Sequence, residues 1–404
     1  MASPVRVGLF GLLGQGNLGN DGSMEAVLGY LRTAHGDAKV DAFCSDPDAL
    51  TARYGIPAEN LRWYVPPRAA ASGPRAIAGR ALGLGLGVAV DAWRIPAWVR
   101  RHDAVIVPGM GVLETTLPIR PWKMPYWMFL LCVSGRILGT RVALASVGAN
   151  VTRHRATRWL LAAAVRSAHY RSFRDPLSRD ALRQMGVPTA GDSVSPDVAF
   201  SLAPPAGIRC VPGSVGLGVM DYSGDNDETA EADQLQANYL EQLKQFTRWL
   251  VDNGHPVRLF SSDTADQPVI AEIAADVLAQ RPGLDPALLT ADPADTATGL
   301  MRQIASVETV VATRYHTVLF ALLQAKPVLA LAYGAKHEQL MADAGLPGFF
   351  LPCRSLRAAQ MIEKFTAIER DAARLRRTIA EHNTVKAGLV QEQLAAMCAA
   401  VLPR

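Results

Sequence analysis

The 404-residue sequence has no run of 18 or more apolar residues, so no segment is long enough to cross a membrane as a helix. Its most apolar stretch, from Ala81 to Val90, is short and broken by glycines. Cysteine is sparse: Cys44, Cys132, Cys210, Cys353 and Cys398 lie far apart, odd in number and without a CxxC pair. That excludes a zinc ribbon and a disulfide framework. The start, Met1-Ala2-Ser3-Pro4-Val5-Arg6-Val7, lacks the basic-then-apolar pattern of a signal peptide. These absences predict a cytoplasmic protein in a reducing compartment. HxH and HExxH pairs, a GxSxG elbow and a GxxxxGK[ST] loop are missing as well. No catalytic metal, serine-hydrolase or P-loop chemistry is therefore indicated. Charged residues make up only 19% against 49% hydrophobic, which excludes a disordered chain, and the 33 glycines and 26 prolines form no tracts.

What is present is a rhythm of short apolar strands and helix-period segments. Val5–Phe10, Val40–Cys44, Asp103–Val107 and Arg141–Ala145 read as strands, with a helix from about Ser23 to Ala34 between the first two. The sequence changes character at Leu202-Ala203-Pro204-Pro205-Ala206-Gly207, a linker, and the alternation then restarts. Val215–Met220, Pro256–Phe260, Thr309–Ala312 and Val328–Leu331 are further strands, with helices over Glu231–Asp252 and Leu356–Val401. Strand-helix-strand repetition implies crossover connections and largely parallel sheets. The prediction is an α/β protein of two Rossmann-like domains facing across a cleft, residues 1–203 and 208–404, the second ending in helices. Chemistry in such folds gathers at the carboxyl ends of the strands.

Gly14-Gln15-Gly16-Asn17-Leu18-Gly19 is a GxGxxG between a strand and a helix. Glycines there let backbone approach a ligand, and the helix N-terminus favours an anion. A dinucleotide site, a substrate loop and a tight turn all fit this pattern, and Asp41 stands near the place of a ribose-binding acid. Thr313-Arg314-Tyr315-His316 follows the strand at Thr309 and opens a helix. A guanidinium and an imidazole two residues apart at a helix start can hold an anion and deliver a proton. A surface arginine beside a structurally bonded histidine is the bland alternative. The alternation Tyr170, Ser172, Arg174 reads as a short strand ending at Arg174, with Asp175 or Ser178 as a helix cap, and Ser195-Pro196-Asp197 precedes the linker. Asp197 fits an Asx turn as well as a functional role. His337 follows Lys336 at a helix start; His35, His154, His255 and His382 lie at helix ends, turns or in a basic stretch.

Together these segments resemble the polysaccharide pyruvyl transferase family. The matching pieces are Gly16-Asn17-Leu18-Gly19 with Asp21, Pro108-Gly109-Met110-Gly111, Ser146-Val147-Gly148, Phe173-Arg174-Asp175 with Ser178, Ser195-Pro196-Asp197, Thr313-Arg314-Tyr315-His316, Lys326-Pro327, and Tyr333 with Lys336. Here Asn20 separates Gly19 from Asp21, which the family usually has adjacent. The resemblance implies a GT-B-like fold with an acceptor-side first domain and a donor-side second domain. It implies an enzyme that takes phosphoenolpyruvate as co-substrate, with no bound cofactor, and attaches pyruvate to two hydroxyls of a sugar as a cyclic ketal. The matching positions then divide into donor contacts (Arg174, Arg314, Thr313, Lys336), catalytic groups (His316 as general acid, Asp197 or Asp21 on an acceptor hydroxyl) and loop residues (Gly16, Asn17, Gly19, Gly109, Gly111). A nucleotide-sugar glycosyltransferase with Glu338 at the donor, an NAD(P)-dependent oxidoreductase, and an inactive carbohydrate-binding protein remain the alternatives.

The net charge of +4 conceals a polarity. Residues 60–175 hold 17 Lys+Arg and four Asp+Glu, and the remainder is acidic. Trp63, Trp93, Trp98, Trp122, Trp127 and Trp159 lie in that basic stretch. Basic and aromatic residues interleaved suit an anionic membrane surface, so a peripheral membrane contact at the inner face is expected, and no nucleic acid; the family resemblance implies phosphoenolpyruvate and a sugar acceptor, which a lipid could carry, as the other partners. Core tryptophans and the arginines of a GC-rich genome explain the same composition.

Overall fold

The structure, a computed structural model, describes residues 4–63, 74–114, 123–224 and 231–403. The chain groups into two compact units, Met1–Gln15, Ser23–Val198 and Gln391–Arg404 in the first, Gly16–Gly22 and Ala199–Val390 in the second. This division departs from a single break at 203–208: the main break falls between Val198 and Ala199, and two further pieces change sides. The glycine-rich segment at 16–22 groups with the second unit, and the chain's end groups with the first.

In the first unit, β1 (Arg6–Gly11), β2 (Lys39–Cys44), β3 (Ala58–Asn60), β4 (Ala104–Pro108), β5 (Arg141–Val147), β6 (Tyr170–Phe173) and β7 (Ser193–Val194) form one parallel sheet in the order β3-β2-β1-β4-β5-β6-β7. Its central strands are buried on both faces, which is why β4 reads Ala-Val-Ile-Val without alternation. The helices are α1 (Leu18–Ala34), α2 (Pro47–Tyr54), α3 (Pro74–Val99), α4 (Met124–Leu138), α5 (Arg155–Ser167) and α6 (Pro176–Gln184). From β3 to β6 each crossover moves toward the β7 edge, so right-handed connections place α3, α4 and α5 on one sheet face. Helix α1 starts at Leu18, not Ser23, because Asn17 caps it: its Oδ1 accepts the Asn20 N–H at 3.1 Å. Asn20 and Asp21 thus belong to the first helical turn.

The second unit repeats the scheme with six parallel strands in the order β10-β9-β8-β11-β12-β13. These are β8 (Val215–Gly218), β9 (Val257–Phe260), β10 (Leu289–Thr290), β11 (Thr309–Ala312), β12 (Val328–Ala332) and β13 (Phe350–Pro352). They alternate with α7 (Ala232–Asp252), α8 (Gln267–Gln280), α9 (Ala297–Ser306), α10 (Tyr315–Leu323) and α11 (Ala335–Ala342), and α12 (Ala358–Val401) closes the chain. In each sheet the strand order reverses direction once, between β1 and β4 and between β8 and β11. Loops leaving such switch points diverge and leave a crevice for a ligand.

The tryptophans of the basic stretch divide. Trp98 lies against Phe43 (ring centroids 5.2 Å apart) in the core, and Trp127 is buried with its Nε1–H donating to Asp91 at 2.8 Å. Trp63, Trp93 and Trp159 are exposed, and Trp122 lies outside the described residues. All five cysteines are free thiols.

Two polar groups on α12 are buried. Gln393 donates to Ser172 Oγ at 2.7 Å and is bonded to Ser146, whose backbone holds φ +49 at the end of β5. Lys386 is nine-tenths buried, and its Nζ stands 4.6 Å from the Phe200 ring centroid without a hydrogen-bond partner among the described residues. Burial pushes its ammonium down to about 8, Asp343 opposing weakly. Between that value and the unfolded lysine's ~10.4 the unfolded chain binds the extra proton, so this side chain adds stability as pH rises through that window. Compared with Lys386→Met, the wild type is therefore expected to gain up to ~3 kcal/mol between pH 8 and pH 10.5, read from urea unfolding at each pH. Equal pH dependence in the two proteins would refute this account of Lys386.

Candidate functional site

The second unit's switch point is built around one guanidinium. β11 ends at Ala312, and Thr313 is pinned on three sides: its N–H donates to Gly218 O at 2.9 Å, its hydroxyl bonds Tyr239 at 2.7 Å, and its carbonyl faces His337 Nε2 at 2.9 Å. Thr313 and His337 are both fully buried, so the two act as supports of the strand end. Arg314 then occupies the N-cap position of α10 without making a side-chain cap. Its Nε and Nη2 donate to the two carboxylate oxygens of Asp266, at 2.9 and 2.7 Å, and its Nη1 lies 3.8 Å from Asp263.

Asp266 is completely buried and also accepts from Ser261 Oγ and, at 2.9 Å, from the Asp221 N–H. Burial works against the charge on Arg314, yet the bonds and charge of Asp266, aided by Asp263, hold it more firmly cationic than an ordinary arginine. Burial pushes the Asp263 carboxyl up, against the pull of Arg314. Asp263 receives Asn17 Nδ2–H at 3.1 Å and Leu18 N–H reaches Ser262 O at 2.8 Å, so the glycine-rich segment is tied to the loop after β9.

This tie places Gly16 and Gly19. Gly16 holds φ +93 with its Cα against Thr264, and Gly19 meets the His316 ring so closely that a Cβ would stand only 2.1 Å from its Nδ1. Asp21 is buried in the same helical turn. Lys336 lies over the rings of Tyr333 (5.1 Å) and Tyr315 (5.9 Å), and Tyr333 in turn packs on His337. Arg314, His316, Lys336, Asn17, Gly16, Gly19 and Asp21 are thus gathered in the second unit. Lys326 is a support, donating to the carbonyls of Ala305 and Val307 at the end of α9.

In the first unit the strand ends meet at Arg174. Its guanidinium is nearly fully buried between Glu114, Asp175 (3.7 Å) and Asp197 (3.7 Å). Asp175 also caps α6 through the Ser178 N–H at 2.6 Å. Asp197, 2% exposed, accepts from Ser23 Oγ at 3.3 Å, and the same hydroxyl approaches Gly109 O. Gly109 (φ +48) and Gly111 form the loop after β4, with Gly111 beside Glu114. Arg174, Asp197, Gly109 and Gly111 therefore converge, but around a guanidinium already offset by three carboxylates. Asp41 has a partner of its own: His102 Nε2 lies 2.8 Å from it on β2. Among the described residues no three His, Cys, Asp or Glu side chains are grouped to hold a metal ion.

Sequence reasoning missed Asp263, Asp266, Glu114 and His102. The first two follow β9 directly and Glu114 follows the β4 glycine loop, so a systematic search of strand ends finds them. His102 carries no local signal.

Two sheets with these switch points define a GT-B-type α/β protein of two domains. Solved structures of similar fold include a putative UDP-N-acetylglucosamine 2-epimerase from Listeria monocytogenes (11% identity, TM-score 0.63, covering 98% of this chain and 96% of that one). Others are UDP-GlcNAc 2-epimerase from Neisseria meningitidis bound to UDP-GlcNAc (10%, TM-score 0.61, 98% and 99%) and a glycosyltransferase from Rickettsia africae (8%, TM-score 0.56, 100% of both). The sequence itself is more specific. It matches the polysaccharide pyruvyl transferase family over residues 17–335, and the chain belongs to that family. A search of curated proteins finds no match.

The Gly19–His316 contact makes a paired prediction. Gly19→Ala forces the imidazole or the helix start to move and is expected to destabilise by ~1–3 kcal/mol, as overpacking does. Gly29→Ala, in the same helix with open space at its Cβ, is expected to stabilise by ~0.5–1 kcal/mol. Thermal unfolding of the two variants reads the difference, and a neutral Gly19→Ala would contradict the packing described.

Proposed function

We propose that the protein transfers the pyruvate unit of phosphoenolpyruvate onto two hydroxyls of a sugar in a glycan, lipid-carried glycans included, forming a cyclic ketal. The observation that carries this reading is the Arg314–His316 pair: a firmly held guanidinium and an imidazole within one turn of the start of α10. Phosphoenolpyruvate has a phosphate and a carboxylate, the anions that a guanidinium and a helix N-terminus bind. Family membership over most of the chain supports the same chemistry.

In this reading protonated His316 gives its proton to the methylene carbon of the donor. The neighbouring carbon becomes oxocarbenium-like, and a sugar hydroxyl adds to it while losing its proton to Asp21, which lies with His316 in the second unit. Phosphate departs with the electron pair of its C–O bond. The second hydroxyl then adds to the same carbon and loses its proton, giving ketal and inorganic phosphate without oxidation or reduction. Lys336 adds positive charge near the donor. Arg174 is assigned to holding Asp197 and Glu114, because three carboxylates already offset its charge.

Incubation with phosphoenolpyruvate and a panel of glycosides, followed by phosphate release and product mass, tests the reaction. His316→Ala is expected to lower kcat by ~10²–10⁴. Asp266→Asn, which loosens Arg314 without touching the donor, is expected to raise the donor KM by about tenfold while leaving the pH profile of kcat in place. A thermal shift with UDP-GlcNAc but none with phosphoenolpyruvate would overturn the assignment in favour of a nucleotide-sugar enzyme.

A further inference from the structure

Helices α3, α4 and α5 cover one face of the first unit's sheet, and their outward residues are unusual for a water-facing layer. Trp93 on α3 is 73% exposed and Trp159 on α5 is 60% exposed. Leu86 and Ile137 are also exposed, and Phe129 of α4 packs beside Trp159 with ring centroids 5.2 Å apart. Helices α4 and α5 contain no acidic residue, and the single carboxylate of α3, Asp91, is buried on Trp127. Among the described residues every exposed charge on these three helices is therefore basic.

Some of those arginines are committed elsewhere. Arg158 and Arg166 donate to the carbonyls that end α6, and Arg94 donates to Asn60 O. Arg136 and Arg155 are exposed on the helices themselves, and Arg100 and Arg153 are exposed just beyond their ends. Aromatic rings large enough to enter a headgroup layer, beside arginines on helices that expose no carboxylate among the described residues, match the chemistry of an anionic bilayer. Soluble surfaces rarely leave two tryptophans this open, and such patches mark interaction sites.

We propose that the outer surface of α3, α4 and α5 is a peripheral docking face for an anionic lipid bilayer, with Trp93 and Trp159 inserting at headgroup depth and Arg136 and Arg155 drawing in the lipid phosphates. This face belongs to the first unit alone and does not depend on which donor the enzyme uses. Docking there would hold the enzyme where membrane-borne acceptors are.

The test uses the full chain, without donor or sugar, so that its failure is separate from any failure of pyruvyl transfer. Cosedimentation is measured with phosphatidylcholine vesicles and with phosphatidylcholine vesicles containing phosphatidylglycerol. Binding is expected only to the anionic vesicles, and it should weaken steeply toward ~1 M salt, where screening acts over ~3 Å. Each basic residue near such a surface contributes about fivefold, so Arg136→Glu with Arg155→Glu should weaken binding at least about tenfold. Trp93→Ser with Trp159→Ser should weaken it as well, with the melting temperature unchanged. Arg302→Glu, exposed in the second unit, should bind as wild type. No binding to anionic vesicles, or undiminished binding by the double variants, overturns the proposal. Tighter retention on a single-stranded oligonucleotide than on vesicles overturns it too and makes the face a nucleic-acid surface.

Discussion

The second unit's site depends on one buried ion pair. Asp266 has no exposure to water, so its charge is tolerated only because its oxygens are filled by Arg314, Ser261 and the Asp221 amide. Those partners come from the ends of β8, β9 and β11. The pair therefore does two things at once: it ties three strand ends together and it fixes a guanidinium in one orientation at the mouth of α10. Bidentate geometry matters here, because a lysine could match the charge but not the fork. With two of its donors spent on Asp266, Arg314 keeps Nη1, the nitrogen nearest Asp263, as its remaining face.

The first unit also builds its strand ends around one guanidinium set among carboxylates. Arg174 is one cation among Glu114, Asp175 and Asp197, which leaves local negative charge in a nearly dry environment. In both units these groups stand on loops leaving parallel strands, where the backbone is free of ladder bonds and the side chains are the variable part.

The parallel α/β pattern was legible because parallel strands buried on both faces are near-continuous apolar runs: β4 and β5 could hardly be read otherwise. The Arg314–His316 pair was legible because it sits between a strand and a helix. What the sequence could not disclose were pairings across long separations. Gln393 reaches Ser146 and Ser172, and His102 reaches Asp41, from positions whose neighbours give no hint of a partner. The start of α1 was misread for a different reason. Asn17, Gly19 and Asn20 have weak helix propensity and look like loop, but a side-chain cap and the tight fit of Gly19 to His316 outweigh propensity.

The arginine excess of residues 60–175 is likewise two populations that composition cannot separate. Arg141 donates to Ala400 O near the end of α12, Arg158 and Arg166 cap α6, Arg171 bonds Asp192, and Arg174 is enclosed. A guanidinium at a helix C-terminus meets unpaired carbonyls and the negative end of the dipole, so these arginines are spent on the fold. Tryptophan divides in the same way, Trp98 and Trp127 filling core while Trp93 and Trp159 face out. The electrostatic character of the surface is therefore set less by the net count than by the few basic groups left over after the helices are capped. Those left over are concentrated on a helical layer that has no carboxylate of its own to oppose them.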